Sequence, residues 1–172
     1  LVGTSSTRRR AQLAALRPDL RFTDLRGNVQ TRLDKIARGD AVATCMAAAG
    51  LRRLGLSTAF AASALNPWTT CTPAPGQGAI ALDCRSDDRR TQRLLASINH
   101  HETAIAVGVE RAVLAALAGG CSLPLGCLVA RSDGSWHGVA RLGLADGSLR
   151  QVQVSSPAAD LAARLLGGLT TS

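Results

Sequence analysis

Leu1-Val2-Gly3-Thr4-Ser5-Ser6-Thr7-Arg8-Arg9-Arg10, running on into Ala11-Gln12-Leu13-Ala14-Ala15-Leu16, decides how the rest of the chain is read. The apolar pair and glycine have the character of a strand end, the Thr/Ser run is a polar turn with N-cap residues, and the following stretch is helical until Pro18 stops it. Leu20 to Leu25 then alternates apolar and polar residues as a short strand does, and Arg26-Gly27-Asn28 turns the chain. The spacing predicts a second helix over Val29–Arg38 that Gly39 ends in C-cap fashion. Val42 to Ala49 is apolar enough for a buried strand, and Gly50 to Leu54 opens another helix. Strands alternating with helices imply a parallel or mixed sheet covered on its faces.

The pattern breaks between Asn66 and Gly78, where Asn66-Pro67, Thr72-Pro73-Ala74-Pro75 and Gly76-Gln77-Gly78 read as a linker or hinge. Ala79 to Cys84 has the composition of a strand, and Asp87 to Asn99 that of a helix with an acidic first turn. His100-His101-Glu102-Thr103 introduces an apolar helix through Ala118, terminated by Gly119-Gly120. Strand-like segments follow at Leu125 to Ala130 and Trp136 to Leu144, with Asp133-Gly134 and Asp146-Gly147 as hairpin signals. A last helix is expected over Ala158 to Leu166. The second half is therefore α+β, and the character of the chain changes near residue 90.

The 172 residues are 46% hydrophobic, which can supply real cores. No apolar run approaches the roughly 20 residues that span a bilayer, and Leu1-Val2-Gly3 lacks the regions of a signal peptide. The absence of an initiating Met and the strand-like opening lead us to expect further chain upstream. The net charge of +8 is uneven: residues 1–53 hold ten Arg and one Lys against four Asp. Arginine makes up 19 of the 20 basic residues, and its planar fork suits bidentate carboxylate or phosphate binding. A solvated Arg-rich surface would have the same composition. With two Phe, two Trp and no Tyr, stacking platforms for single-stranded nucleic acid are lacking, and no DNA- or RNA-binding signature is present. A small polyanion is the better match.

Cys45, Cys71, Cys84, Cys121 and Cys127 are irregularly spaced with no CxxC pair, so neither a disulfide framework nor a metal site is expected, and most read as small buried residues. Cys121 differs in context: it follows Gly119-Gly120 and precedes Ser122-Leu123-Pro124-Leu125-Gly126, which places it on a tight loop. Both a reachable thiol and a packed cysteine behind a helix end fit that position. Where Gly3-Thr4-Ser5-Ser6-Thr7-Arg8-Arg9 opens a helix, unpaired N–H groups, the helix dipole, hydroxyls and guanidiniums make an anion cradle, although an N-cap alone would use the same residues. Arg26 and Arg32 join it at the sheet end where open α/β folds place ligands. His100-His101 is read as a helix start and Asp83, Asp87 and Asp88 as surface positions.

Gly3-Thr4-Ser5-Ser6-x-Arg8-Arg9, Asp24-x-Arg26-Gly27-Asn28-x-x-Thr31-Arg32-Leu33, Ala48-Ala49-Gly50-Leu51-x-Arg53-Leu54-Gly55, Pro73-x-x-Gly76-Gln77-Gly78-Ala79 and Gly119-Gly120-Cys121-x-x-Pro124-x-Gly126 together closely resemble the porphobilinogen deaminases, in that family's order. The resemblance runs from Leu1 to about Gly147 and makes the chain the C-terminal portion of such a protein. It implies a periplasmic-binding-protein-like α/β domain over residues 1–75, a hinge and segment returning to an absent first domain over 76–95, and a small α+β domain over 96–172 that carries the cofactor cysteine.

The activity so implied is that of a hydroxymethylbilane synthase, a cytoplasmic transferase, monomeric at full length, that joins four porphobilinogen molecules through linear oligopyrrole intermediates. Cys121 would hold a dipyrromethane cofactor by a thioether bond. Thr4, Ser6, Arg8, Arg9, Arg26 and Arg32 would bind its carboxylates and those of the substrate, with Arg26 and Arg32 also catalytic. Arg53 would guide the growing chain, and Gln77 and Gly78 would line the cleft. No metal, nucleic acid or membrane partner is implied. Two departures stand out: the family's His-Ser-x-Lys-Asp motif with its catalytic aspartate is absent, so this chain alone is expected to lack turnover, and Ala41 to Met46 replaces a Tyr-Asp-Ala-aliphatic stretch. The alternative is a non-catalytic polyanion-binding module with Cys121 structural.

Overall fold

A computed structural model describes residues 1–56, 63–118 and 122–171. Among these residues the chain forms six helices and two three-stranded sheets, a mixed α/β architecture. It divides into two units: Leu1–Thr72 with Gly120–Pro124 and Leu142–Arg150, and Pro73–Gly119 with Leu125–Arg141 and Gln151–Ser172. No helix of the described residues is long and apolar enough to cross a membrane.

In unit one, β1 (Val2–Gly3), α1 (Thr7–Leu16), β2 (Phe22–Thr23), α2 (Val29–Ala37), β3 (Ala43–Thr44) and α3 (Ala48–Arg53) alternate. The strands are parallel in the order β2-β1-β3, with Val2 level with Phe22 and Ala43, and Gly3 level with Thr23 and Thr44. The helix ends follow capping chemistry: Ser6 is extended and its hydroxyl accepts from Arg9 N, and Asn28 accepts from Thr31 N at 2.8 Å. The inward residues of α1 are Arg8 and Gln12, one turn apart, so polar side chains rather than leucines fix this helix.

The expected strand over Val42–Ala49 is corrected to Ala43–Thr44 alone, since Val42 is 83% exposed and α3 already starts at Ala48. β1 offers only two residues of ladder, and an aperiodic run of small apolar residues has nothing further to pair with. β2 is likewise shorter than the Leu20–Leu25 alternation.

Unit two contains α4 (Arg89–Ser97), α5 (His101–Ala116), most of β4 (Leu125–Ser132), β5 (Ser135–Gly143) and β6 (Leu149–Ser155), and α6 (Ala158–Thr170). The sheet order is β4-β5-β6. Asp133 and Gly134 both have positive φ, 51° and 77°, the tight reversal that a two-residue hairpin needs. Helix α5 packs on β4 and α6, around a core of Val113, Leu125, Cys127, Val139, Leu161, Leu165 and Leu169. Leu161, Leu165 and Leu169 of α6 recur every four residues and are fully buried. α6 outruns its expected end at Leu166, and within the added turn Gly168 lies where a Cβ would collide with Val152 of β6.

The expected strand at Ala79–Cys84 does not form among the described residues. Ile80 and Leu82 are 80% and 59% exposed, so the segment has strand composition without an edge to pair with. Glu110 is buried on α5, where its two carboxylate oxygens accept from Gly76 N at 2.6 Å and Val129 N at 2.8 Å. This carboxylate ties the Gly76 turn to β4.

Candidate functional site

In unit one the three strands end side by side at Gly3, Thr23 and Thr44, and each continues through a short loop into a helix N-terminus. Because β2 and β3 flank β1 on opposite sides, the chain reverses its direction of travel across the sheet at β1. That is the switch point outside the carboxyl ends of parallel strands where such sheets bind ligands.

Short polar ties hold the strand ends together. Thr44 Oγ1 donates to Gly3 O at 2.8 Å, joining β3 to β1. Arg10 Nη2 donates to Thr4 O at 3.1 Å and Asp24 Oδ1 at 2.9 Å, joining β1 to β2, and its guanidinium lies over the Phe22 ring. Asp24 is the one carboxylate in the three loops, and Arg10 holds it.

The candidate residues then separate by what they touch. Thr4 is buried, and its hydroxyl accepts from Ser6 N at 3.3 Å. Ser6 caps α1. Arg8 is buried and Nη1 donates to Thr72 O at 2.5 Å; desolvation pulls its pKa below the usual guanidinium value. Arg9 Nη1 donates to Cys45 O at 2.7 Å, spanning from α1 to the end of β3. Arg32 Nε donates to Gly27 O at 2.8 Å and thereby braces the loop that carries Arg26. Gly27 has φ +124°, and a Cβ there would meet Thr31 at 2.7 Å, so the Arg-Gly-Asn turn requires glycine. Arg26 itself is exposed, and its side chain has no partner among the described residues.

Thr4, Ser6, Arg8, Arg9, Arg26 and Arg32 thus come together at one end of one sheet. Arg53 is the last residue of α3, away from that helix's N-terminus. Gln77 and Gly78 belong to unit two, where Gln77 Oε1 accepts from Ala74 N and Gly78 has φ +98°. Cys121 lies outside the described residues. Its neighbour Ser122 is described, and the Ser122 carbonyl accepts from Thr7 Oγ1 at 3.0 Å, at the first turn of α1. The same loop is seated by Gly143 N, which donates to Pro124 O at 3.1 Å. Among the described residues, no group of three or more His, Cys, Asp or Glu is placed to hold a metal ion.

Sequence reasoning missed Gln12, Thr72 and Thr7. Gln12 and Thr72 are fully buried and bonded to each other, under the cradle. A glutamine inside the apolar run Ala11–Leu16, one turn after Arg8, was the available signal.

The family model described as porphobilinogen deaminase, dipyromethane cofactor binding domain, matches residues 1–93, more than half of the 172-residue chain. The chain belongs to the porphobilinogen deaminase family. The matched span contains the whole parallel sheet of unit one and every candidate residue except Cys121, and it is the family's dipyrromethane-binding domain. The cradle fits an acidic oligopyrrole in donor type, because hydroxyls and guanidiniums surround the strand ends and the sole carboxylate among the loops is neutralised by Arg10.

Proposed function

We propose that this chain is the cofactor- and substrate-gripping part of a porphobilinogen deaminase, the cytoplasmic transferase that condenses four porphobilinogen molecules into hydroxymethylbilane for tetrapyrrole synthesis, releasing ammonia. The observation that carries this reading is the 3.0 Å bond from Thr7 Oγ1 to Ser122 O. It ties the residue covalently next to Cys121 to the helix that bears Arg8 and Arg9, and so supports Cys121 as the thioether anchor.

When bound, the dipyrromethane supplies a covalent primer on which the pyrrole chain grows. Thr4, Ser6, Arg8 and Arg9 bind the carboxylates of that cofactor. Arg8, buried and held on Thr72, acts as a fixed positive charge beneath the cradle, while Arg9 also sets the position of the β3 end. Arg26, exposed and unpartnered among the described residues, receives the acetate or propionate of the incoming substrate. Arg32 keeps Nε on Gly27 and offers its terminal nitrogens, so the two arginines orient the substrate and favour departure of its amine. Each charge-assisted pair contributes about 1.5–3 kcal/mol, so several retain a polyanion through successive additions.

On this reading unit one is a periplasmic-binding-protein-like α/β domain of a monomeric enzyme. Arg53 guides the elongating chain, and Gln77 and Gly78 line the cleft. Residues 76–95, with Ile80 and Leu82 exposed, are the segment that completes a sheet elsewhere in the full protein. The sequence holds no His-Ser-x-Lys-Asp motif, so the chain by itself binds and aligns without turnover.

The test is an intact mass of protein produced in the presence of porphobilinogen, together with its colour reaction with Ehrlich's reagent in acid. A dipyrromethane adduct that disappears in Cys121→Ser is expected. An unmodified Cys121 in the full-length protein overturns the proposal and leaves the polyanion-binding module.

A further inference from the structure

We infer that Gln12 is a positioning residue for the anion cradle: through the backbone of Thr72 it sets the direction in which the Arg8 guanidinium meets a carboxylate. This rests on the reading of Arg8 as a carboxylate-binding residue. All three residues belong to unit one, and each is buried, Gln12 and Thr72 completely.

Arg8 and Gln12 are one turn apart on α1 and share one face of it. Both reach the same carbonyl: Arg8 Nη1 donates to Thr72 O at 2.5 Å and Gln12 Nε2 donates to it at 3.0 Å. Gln12 Oε1 also accepts from Thr72 N at 2.7 Å, so one carboxamide pairs with both backbone groups of a single residue. Thr72 precedes Pro73, and a residue before proline favours extended backbone, whose N–H and C=O face the same way and match an amide's acceptor and donor. The Thr72 hydroxyl adds a further tie, donating to Pro67 O at 3.0 Å. The Thr72 carbonyl is therefore a fixed point. A guanidinium is planar, so holding one of its nitrogens on that point restricts the tilt of the whole group.

Without the carboxamide, Thr72 N loses its acceptor and the carbonyl loses one of its two donors, at a residue that water does not reach. The carbonyl then has no set direction, and the arginine held on it loses its own. The positive charge stays in the cradle, but the geometry for a two-pronged grip on a carboxylate does not. Gln12 touches no ligand on this account; it acts through Thr72 and Arg8.

The test measures binding of mellitate, a benzene ring with six carboxylates, to the whole chain by isothermal titration, at a temperature where circular dichroism finds each variant folded. Arg8→Ala should weaken binding roughly tenfold or more. Gln12→Leu should weaken it about three- to tenfold. Added to Arg8→Ala, Gln12→Leu should change the affinity no further, whereas a glutamine that only holds the fold would weaken both backgrounds alike or neither. The unmutated protein gives an independent measurement: coupling between two groups is reciprocal, so mellitate should slow hydrogen exchange at the Thr72 amide more than at the other slowly exchanging amides of unit one. If Arg8→Ala weakens binding and Gln12→Leu does not, the positioning role is overturned and the reading of Arg8 stands. If Arg8→Ala has no effect, that reading falls and the positioning role falls with it. Exchange at Thr72 that does not respond to mellitate overturns the role without any variant having to fold.

Discussion

Gln12 and Thr72 are bonded to each other at both ends: Gln12 Oε1 accepts from Thr72 N at 2.7 Å, and Nε2 donates to Thr72 O at 3.0 Å. Both are fully buried, so nothing from solvent replaces either bond. Gln12→Leu leaves the Thr72 N–H unpaired in the interior and is expected to cost about 1–3 kcal/mol. Faster hydrogen exchange at residue 72 and a lower urea midpoint would register the loss; unchanged exchange there would refute it.

Arg8 and Arg26 should respond oppositely to truncation. Arg8→Ala removes a buried bond to Thr72 O and is expected to lower stability by about 1–3 kcal/mol. Arg26→Ala removes an exposed side chain, so stability should stay within about 0.5 kcal/mol while affinity for an oligocarboxylate falls. Thermal melts with isothermal titration separate the two, and equal destabilisation would show that Arg26 is structural.

The pH dependence of unit two should carry the mark of Glu110. Desolvation raises its pKa from the ordinary 4.5, outweighing the Gly76 and Val129 N–H bonds that lower it. A carboxyl with a raised folded-state pKa stabilises the fold fully below its unfolded value, and that contribution is lost as pH rises through the folded value. Stability is therefore expected to fall with rising pH above about 4.5, and Glu110→Gln should remove that slope. The variant should also be weaker at every pH, because its amide nitrogen must face one of two N–H donors. Urea titrations from pH 4 to 8 decide this, and a slope unchanged in Glu110→Gln counts against it.

Gly27→Ala tests the brace under Arg26. The positive φ and the approach of Thr31 both oppose a Cβ, with an expected loss of about 1–3 kcal/mol. Asn28→Ala should cost about 1 kcal/mol through loss of the cap. A neutral Gly27→Ala would mean that the turn relaxes readily.

Local chemistry was readable wherever a residue acts on its own neighbours. Ser6 and Asn28 as caps, Gly39 as a stop and Asp133-Gly134 as a reversal all work within a few residues, and the helices they bound fall close to expectation. His100 is itself the cap of α5, accepting from Thr103 N, in keeping with its reading as a helix start. β6 was legible in the alternation of Val152 and Val154 with Gln151 and Gln153, but only its hairpin signal was noted. Strand length in unit one was not legible, because it depends on how many residues a neighbour offers. The roles of Arg8, Gln12 and Thr7 were hidden for the same reason: their partners, Thr72 and Ser122, are 60 or more positions away.

The division of the chain into two units distributes its fluorophores evenly. Trp68 falls in the first and Trp136 in the second, and there is no tyrosine to add emission. A Trp136→Phe protein therefore glows only from the arginine-rich half, and a Trp68→Phe protein only from the other. Each half can be watched melting by itself, with no dye attached.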